Sequence, residues 1–137
     1  MAAKPEAKIN ARMRCACDAL LHYGVQAHRI EVRTGLGWPD WIVFVRGYQT
    51  VLVECKWVYS WDRPLGDWKP HQRSFSKRKL GIGIPVLLLV GDSEKTFLLD
   101  SADHLERDTM HSFMNGWGTT IKPFELYTSI TRVKQNT

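Results

Sequence analysis

Several things are scarce in this chain, and each shortage excludes a class of protein. Cysteine is scarce: only Cys15, Cys17 and Cys55 occur in 137 residues. An odd count without ligand spacing reads as free, reduced thiols rather than a disulfide framework. Cys15 and Cys17 are two apart on an expected helix, so they point different ways and form no metal pair. Long apolar runs are absent, and none approaches the ~20 residues of a membrane-spanning helix. The opening Met1-Ala2-Ala3-Lys4-Pro5-Glu6 lacks the apolar centre of a signal peptide. A cytoplasmic protein with no membrane partner is the expectation. No Gly-x-x-x-x-Gly-Lys phosphate loop occurs, so no nucleotide cofactor is expected. Internal repeats and low-complexity tracts are also missing, and no element suited to reading base sequence is evident.

Acidic residues are outnumbered, with 14 Asp and Glu against 19 Lys and Arg and a net charge of +5. A basic balance favours a polyanionic partner, though only modestly. The charge is more telling locally. Arg73, Lys77, Arg78 and Lys79 crowd one short segment after Gln72. Such a cluster is either a solvated helix face or a phosphate-binding surface.

The length fits one domain, residues 1–137, with a core over about 5–115 and a C-terminal tail over about 120–137. Pro5 to His22 reads as a first helix, opened by Pro5 and stopped by Gly24, with Ile9, Met13, Ala16, Cys17, Leu20 and Leu21 as its apolar stripe. Glu6 lies on that inward stripe. It is either a third acidic residue of a site or a favourable charge at a helix start. Ala27 to Arg33 alternates like an edge strand, and Thr34 to Gly37 is a loop. Glu31 competes with Glu6 as the extra carboxylate, but its polar neighbours suit a surface charge.

The densest chemistry follows. Asp40 precedes the apolar run Trp41 to Val45, and Glu54-Cys55-Lys56 closes the run that starts at Thr50. Charges at the ends of buried strands are costly unless paired or bound to a metal. Converging carboxylates repel, so a divalent cation is a natural partner. A turn centred on Arg46-Gly47-Tyr48-Gln49 sets Asp40 opposite Cys55. A shift of one residue, through a bulge or an odd-length loop, is expected to bring Asp40 onto the face of Glu54 and Lys56.

Beyond this hairpin, Trp57 to Trp68 is a long loop carrying Trp57, Tyr59, Trp61 and Trp68. Its rings either stack on exposed bases or fold back over the core. Pro70 to Leu80 reads as a second helix, with His71 pointing away from Gln72. Pro85 to Val90 and Lys95 to Leu99 read as strands. Ser101 caps a helix from Ala102 to Met114, which Asn115-Gly116 stops. Lys122 to Ile130 suggests a strand or an arm, and Thr131 to Thr137 a polar tail.

Pro39-Asp40, a short hairpin and Glu54-Cys55-Lys56 resemble the signature of the PD-(D/E)xK nuclease superfamily. With Gly35 to Asp40, Pro70-His71-Gln72 and Gly81 to Val90, the wider pattern is similar to small stand-alone VRR-NUC domains and Holliday-junction resolvases. The loop between Trp57 and Trp68 is longer than usual there. The resemblance implies a restriction-endonuclease-like α/β fold with an αβββαβ core, a mixed central sheet and flanking helices. It implies hydrolysis of DNA phosphodiesters with Mg2+ or Mn2+. Asp40, Glu54 and the backbone carbonyl of Cys55 would hold the ion, with Glu6 as a further candidate. Lys56 would stabilise charge or orient water, and Gln72 would hold the arrangement. Arg73, Lys77, Arg78, Lys79 and Trp61 are the candidate DNA contacts. A homodimer would let such an enzyme cut two strands. Four-way, flap, duplex and single-stranded DNA all stay open as substrates. The competing reading is a non-catalytic nucleic-acid-binding module on the same fold, which has no need of clustered carboxylates facing a polyanion.

Overall fold

The computed structural model describes residues 5–30, 38–61, 83–99 and 115–132. Helix α1, Pro5–Ala19, leads into a tight turn at Leu21–Tyr23. Strands β1 (Val25–Arg29), β2 (Trp41–Val45), β3 (Val51–Trp57), β4 (Val86–Gly91), β5 (Thr96–Leu99) and β6 (Asn115–Trp117) follow, then helix α2, Pro123–Thr131. The strands form one six-stranded sheet in the order β1-β2-β3-β4-β5-β6. β3 and β4 run parallel, while the other neighbours are antiparallel.

The apolar runs become strands because both sheet faces are covered at the centre. Every residue of β4 is buried, as is all of β3 except the partly buried Trp57. On one face Ile9, Met13, Ala16 and Cys17 of α1 pack against Trp41, Val43, Val51, Val53, Cys55, Leu87 and Leu89. Leu126 and Ile130 of α2 complete that core. On the other face Leu88, Val90 and Leu99 pack with Val58, Trp61 and Phe97. Leu52 and Val86 pack there with Ile30, Ile42 and Ile84. Alternation along β3 therefore sets Glu54 and Lys56 on the face of Leu52, away from α1.

Polar contacts fix how α1 lies on the sheet. The indole N–H of Trp41 donates to Asn10 Oδ1 at 2.8 Å. Arg12 donates to the Asp92 carbonyl at 2.7 Å and to Thr96 Oγ1 at 2.9 Å, gripping the β4–β5 turn. The approach is close: a Cβ on Gly91 would sit 2.6 Å from the Lys95 carbonyl oxygen and 3.0 Å from Ile9 Cδ1. Gly91→Ala is expected to destabilise the protein by about 1–3 kcal/mol through overpacking. Urea denaturation checks this, and an unchanged midpoint would mean the turn yields freely.

Some boundaries differ from the sequence reading. α1 ends at Ala19, and Leu21 is exposed rather than part of the stripe, because the chain tightens there before β1. The segment expected to be a strand or arm from Lys122 to Ile130 is helix α2. Pro123 opens it, and Leu126 and Ile130, four apart, bury one face. Asn115 and Gly116 lie in β6, where Gly116 faces the Phe97 ring and a Cβ would meet that ring at 2.6 Å. The expected helices at 70–80 and 102–114 lie outside the described residues.

Candidate active site

The β2–β3 hairpin decides which charges meet. Trp41 pairs with Val53, Ile42 with Leu52 and Val43 with Val51. One step further, the same register sets Asp40 opposite Glu54. The connection Arg46 to Thr50 has an odd length, five residues between the two strands. This is the one-residue shift expected from the sequence, and it puts Asp40 and Glu54 on one face.

Asp40 stands just before β2 and is held from both sides. Its Oδ2 accepts the backbone N–H of Cys55 at 2.7 Å, and its Oδ1 lies 2.9 Å from Arg29 Nη1. Glu54 and Lys56 are almost wholly buried, with side chains only 5 % exposed. Lys56 Nζ lies 3.6 Å from Glu54 Oε1 and 3.6 Å from Glu6 Oε1. Glu6, in the first turn of α1, is half-buried and brings its carboxylate to this lysine from the helix.

Glu54 is pushed up to about 9, foremost by burial and next by the Asp40 charge. A hydrogen bond to Asp40 and the charge of Glu6 add to the rise, while Lys56 opposes it. Metal-free and near neutral pH, Glu54 is thus held in its protonated form beside Asp40. The Cys55 thiol is also raised, by complete burial and then by Asp40 and Glu54. Its side chain belongs to the α1-side core, so only its backbone serves the carboxylate face.

Among the described residues no group of three His, Cys, Asp or Glu side chains converges as a metal cage. The oxygens at hand are those of Asp40 and Glu54, the backbone near Cys55, and Glu6 on α1. Few protein oxygens with retained waters is a donor set that suits a magnesium-sized hard cation.

A Holliday junction resolvase, Hjc of the archaeal hyperthermophile Archaeoglobus fulgidus, superposes with a TM-score of 0.52 and 16% identity. The match covers 85% of this chain and 98% of that one. The chain has the fold of that resolvase. A VRR_NUC domain also aligns, with a TM-score of 0.47 and 22% identity, over 62% of this chain and 85% of that domain. No protein-family model matches the sequence, and no curated protein does.

On this resolvase-like fold the remaining candidates separate. Trp57 packs on the α1-side core with the Lys8 ammonium 5.6 Å from its ring centroid. Trp61 donates its indole N–H to Asp92 Oδ2 at 2.8 Å, meets Phe97 edge-on at 5.2 Å, and carries Lys95 over its ring. Its ring is thus engaged by the protein. Tyr59 is open, at 76% exposure. Gln72, Arg73, Lys77, Arg78, Lys79, Trp68 and Glu31 lie outside the described residues, as do Gly35 and Gly37.

Arg29 was missed in the sequence, although its place was countable. β1 pairs Arg29 with Trp41, so Arg29 is beside Asp40 once the three strands are registered. Asn10 was missed for a different reason. Its role depends on the tilt of α1 over Trp41, and no local pattern carries that.

Proposed function

We propose that the chain is a metal-dependent DNA endonuclease. The observation that carries this reading is the convergence of Asp40, Glu54 and Lys56 at the mouth of the β2–β3 hairpin. Burying Glu54 and Lys56 together beside the partly buried Asp40 costs stability, and hydrophobic residues would pack the same space at less cost. Such an arrangement on a resolvase-like fold suits hydrolysis of a phosphodiester.

Asp40 and Glu54 would hold Mg2+ or Mn2+, helped by the Cys55 carbonyl. The ion, when bound, supplies a Lewis acid for the phosphate and lowers the pKa of a water. Lys56 would donate to a phosphate oxygen or hold the attacking water, steered by the flanking Glu54 and Glu6. Glu6 would complete the negative side of the site from α1, and Gln72 would support the arrangement. Arg73, Lys77, Arg78 and Lys79 would contact phosphates, which fix position without reading sequence. Branched or flap DNA is the favoured substrate class, by likeness to the resolvase. A homodimer would present two such sites to opposite strands.

The test is incubation with supercoiled, linear, single-stranded, flap and four-way DNA in Mg2+, Mn2+ or chelator. Cleavage that needs the metal, strongest on branched DNA, is the expected result. Binding that persists in chelator with no cutting in either metal would replace this reading with a non-catalytic DNA-binding module.

A further inference from the structure

Resting on the nuclease reading, we propose that Arg29 is a positioning residue. It locks the Asp40 carboxylate into its metal-binding orientation before the cation arrives. Asp40 stands outside the regular part of β2, so the sheet ladder alone does not orient its side chain. The two neighbouring strands supply what the ladder lacks. From β1, Arg29 Nη1 reaches Asp40 Oδ1 at 2.9 Å and donates to the Asp40 backbone carbonyl at 2.9 Å. The backbone N–H of Ile30 donates to the same carbonyl at 2.8 Å. From β3, the Cys55 N–H takes Oδ2 at 2.7 Å. One guanidinium nitrogen thus fixes both ends of the aspartate, its main chain and its carboxylate. Each carboxylate oxygen has two acceptor sites. Arg29 and Cys55 use one apiece and leave the others for Glu54 and a cation.

Two effects of the guanidinium oppose each other. Its charge repels an incoming cation, whereas its bonds remove the freedom that Asp40 would otherwise lose on binding. The Arg29 side chain is 32% exposed, so water screens the repulsion. The orientation is not screened. Positioning should therefore win, and partners that orient a ligating group typically carry 10–100-fold in metal affinity. Arginine also matters by shape, since a lysine at this place keeps the charge but loses the planar fork.

The experiment uses the full chain as wild type, Arg29→Gln, Arg29→Lys and Asp40→Asn. Mn2+ affinity is measured by calorimetry, and cleavage is measured against Mn2+ concentration. Arg29→Gln is expected to weaken Mn2+ binding about 10–100-fold. Its half-maximal Mn2+ for cleavage should rise to match, while cleavage at saturating Mn2+ returns to within a few-fold of wild type. Arg29→Lys should fall between. A purely structural ion pair would lower the melting temperature without this split between metal affinity and saturated rate. Unchanged or tighter Mn2+ binding in folded Arg29→Gln, while Asp40→Asn loses it, would overturn the role of Arg29 alone. Mn2+ binding and cleavage that survive Asp40→Asn would overturn the nuclease site and this proposal together. If Arg29→Gln does not fold, Arg29→Lys carries the same measurement. Failure of both to fold would assign Arg29 to stability and overturn the proposal.

Discussion

Asp40→Asn, Glu54→Gln and Lys56→Met are each expected to lower DNA cleavage by about a hundredfold or more. Affinity for DNA, measured in calcium to prevent cutting, should stay near that of the wild type. The expectation follows from what each group does. Asp40 and Glu54 face one another at the hairpin mouth, so loss of either leaves a cation with half its protein carboxylates. Lys56 is buried between Glu54 and Glu6, 3.6 Å from a carboxylate oxygen of each. These variants should fold. Asn and Gln keep the shape of the acids. Removing Lys56 does not strand a buried anion, because Glu54 already favours its neutral form. Full cleavage by folded Asp40→Asn or Glu54→Gln protein would remove these residues from the site. Loss of folding in all three would make the cluster structural instead.

The hairpin was legible in the sequence because its signals are local. Alternation gave the shared face of Leu52, Glu54 and Lys56, and a turn centred on Arg46 to Gln49 needed a one-residue shift to bring Asp40 to it, which the connection supplies by running to five residues. The buried runs of β3 and β4 were equally plain, since strands covered on both faces read as continuous apolar sequence. What escaped depends on distance. The helical character of α2 rests on Leu126 and Ile130 reaching the α1-side core, which a short mixed segment does not announce. β6 is three residues long, and its Gly116 makes room for Phe97 across the sheet while resembling a helix stop. Trp61 could be read as an open stacking ring until Asp92, Phe97 and Lys95 were seen around it. Arg29 needed all three strands in register before its link to Asp40 had meaning.

Glu54 makes the metal-free protein lose stability as pH rises, and metal should reverse this. Its pKa is raised from 4.5 in the reference state to about 9 in the fold, by burial first and Asp40 second. Between those values the folded protein holds a proton that the unfolded chain has released. Stability from this group is therefore complete below the unfolded pKa, and it is lost as pH rises towards the folded one. One such proton gives a slope of about −1.4 kcal/mol per pH unit within that window. Glu54→Gln has no proton to lose. In chelator it should be flatter with pH than wild type and more stable at pH 8, while cutting nothing. A divalent cation competes for the place of that proton, so binding near pH 7.5 should release about one proton per ion. Calorimetry in two buffers of different ionisation enthalpy counts that release, and urea melts from pH 6 to 9 in chelator measure the slope. If Glu54→Gln melts with the same pH slope as wild type, and no proton leaves when Mg2+ binds, Glu54 is ionised in the metal-free fold. The cation would then bind a site already charged to receive it.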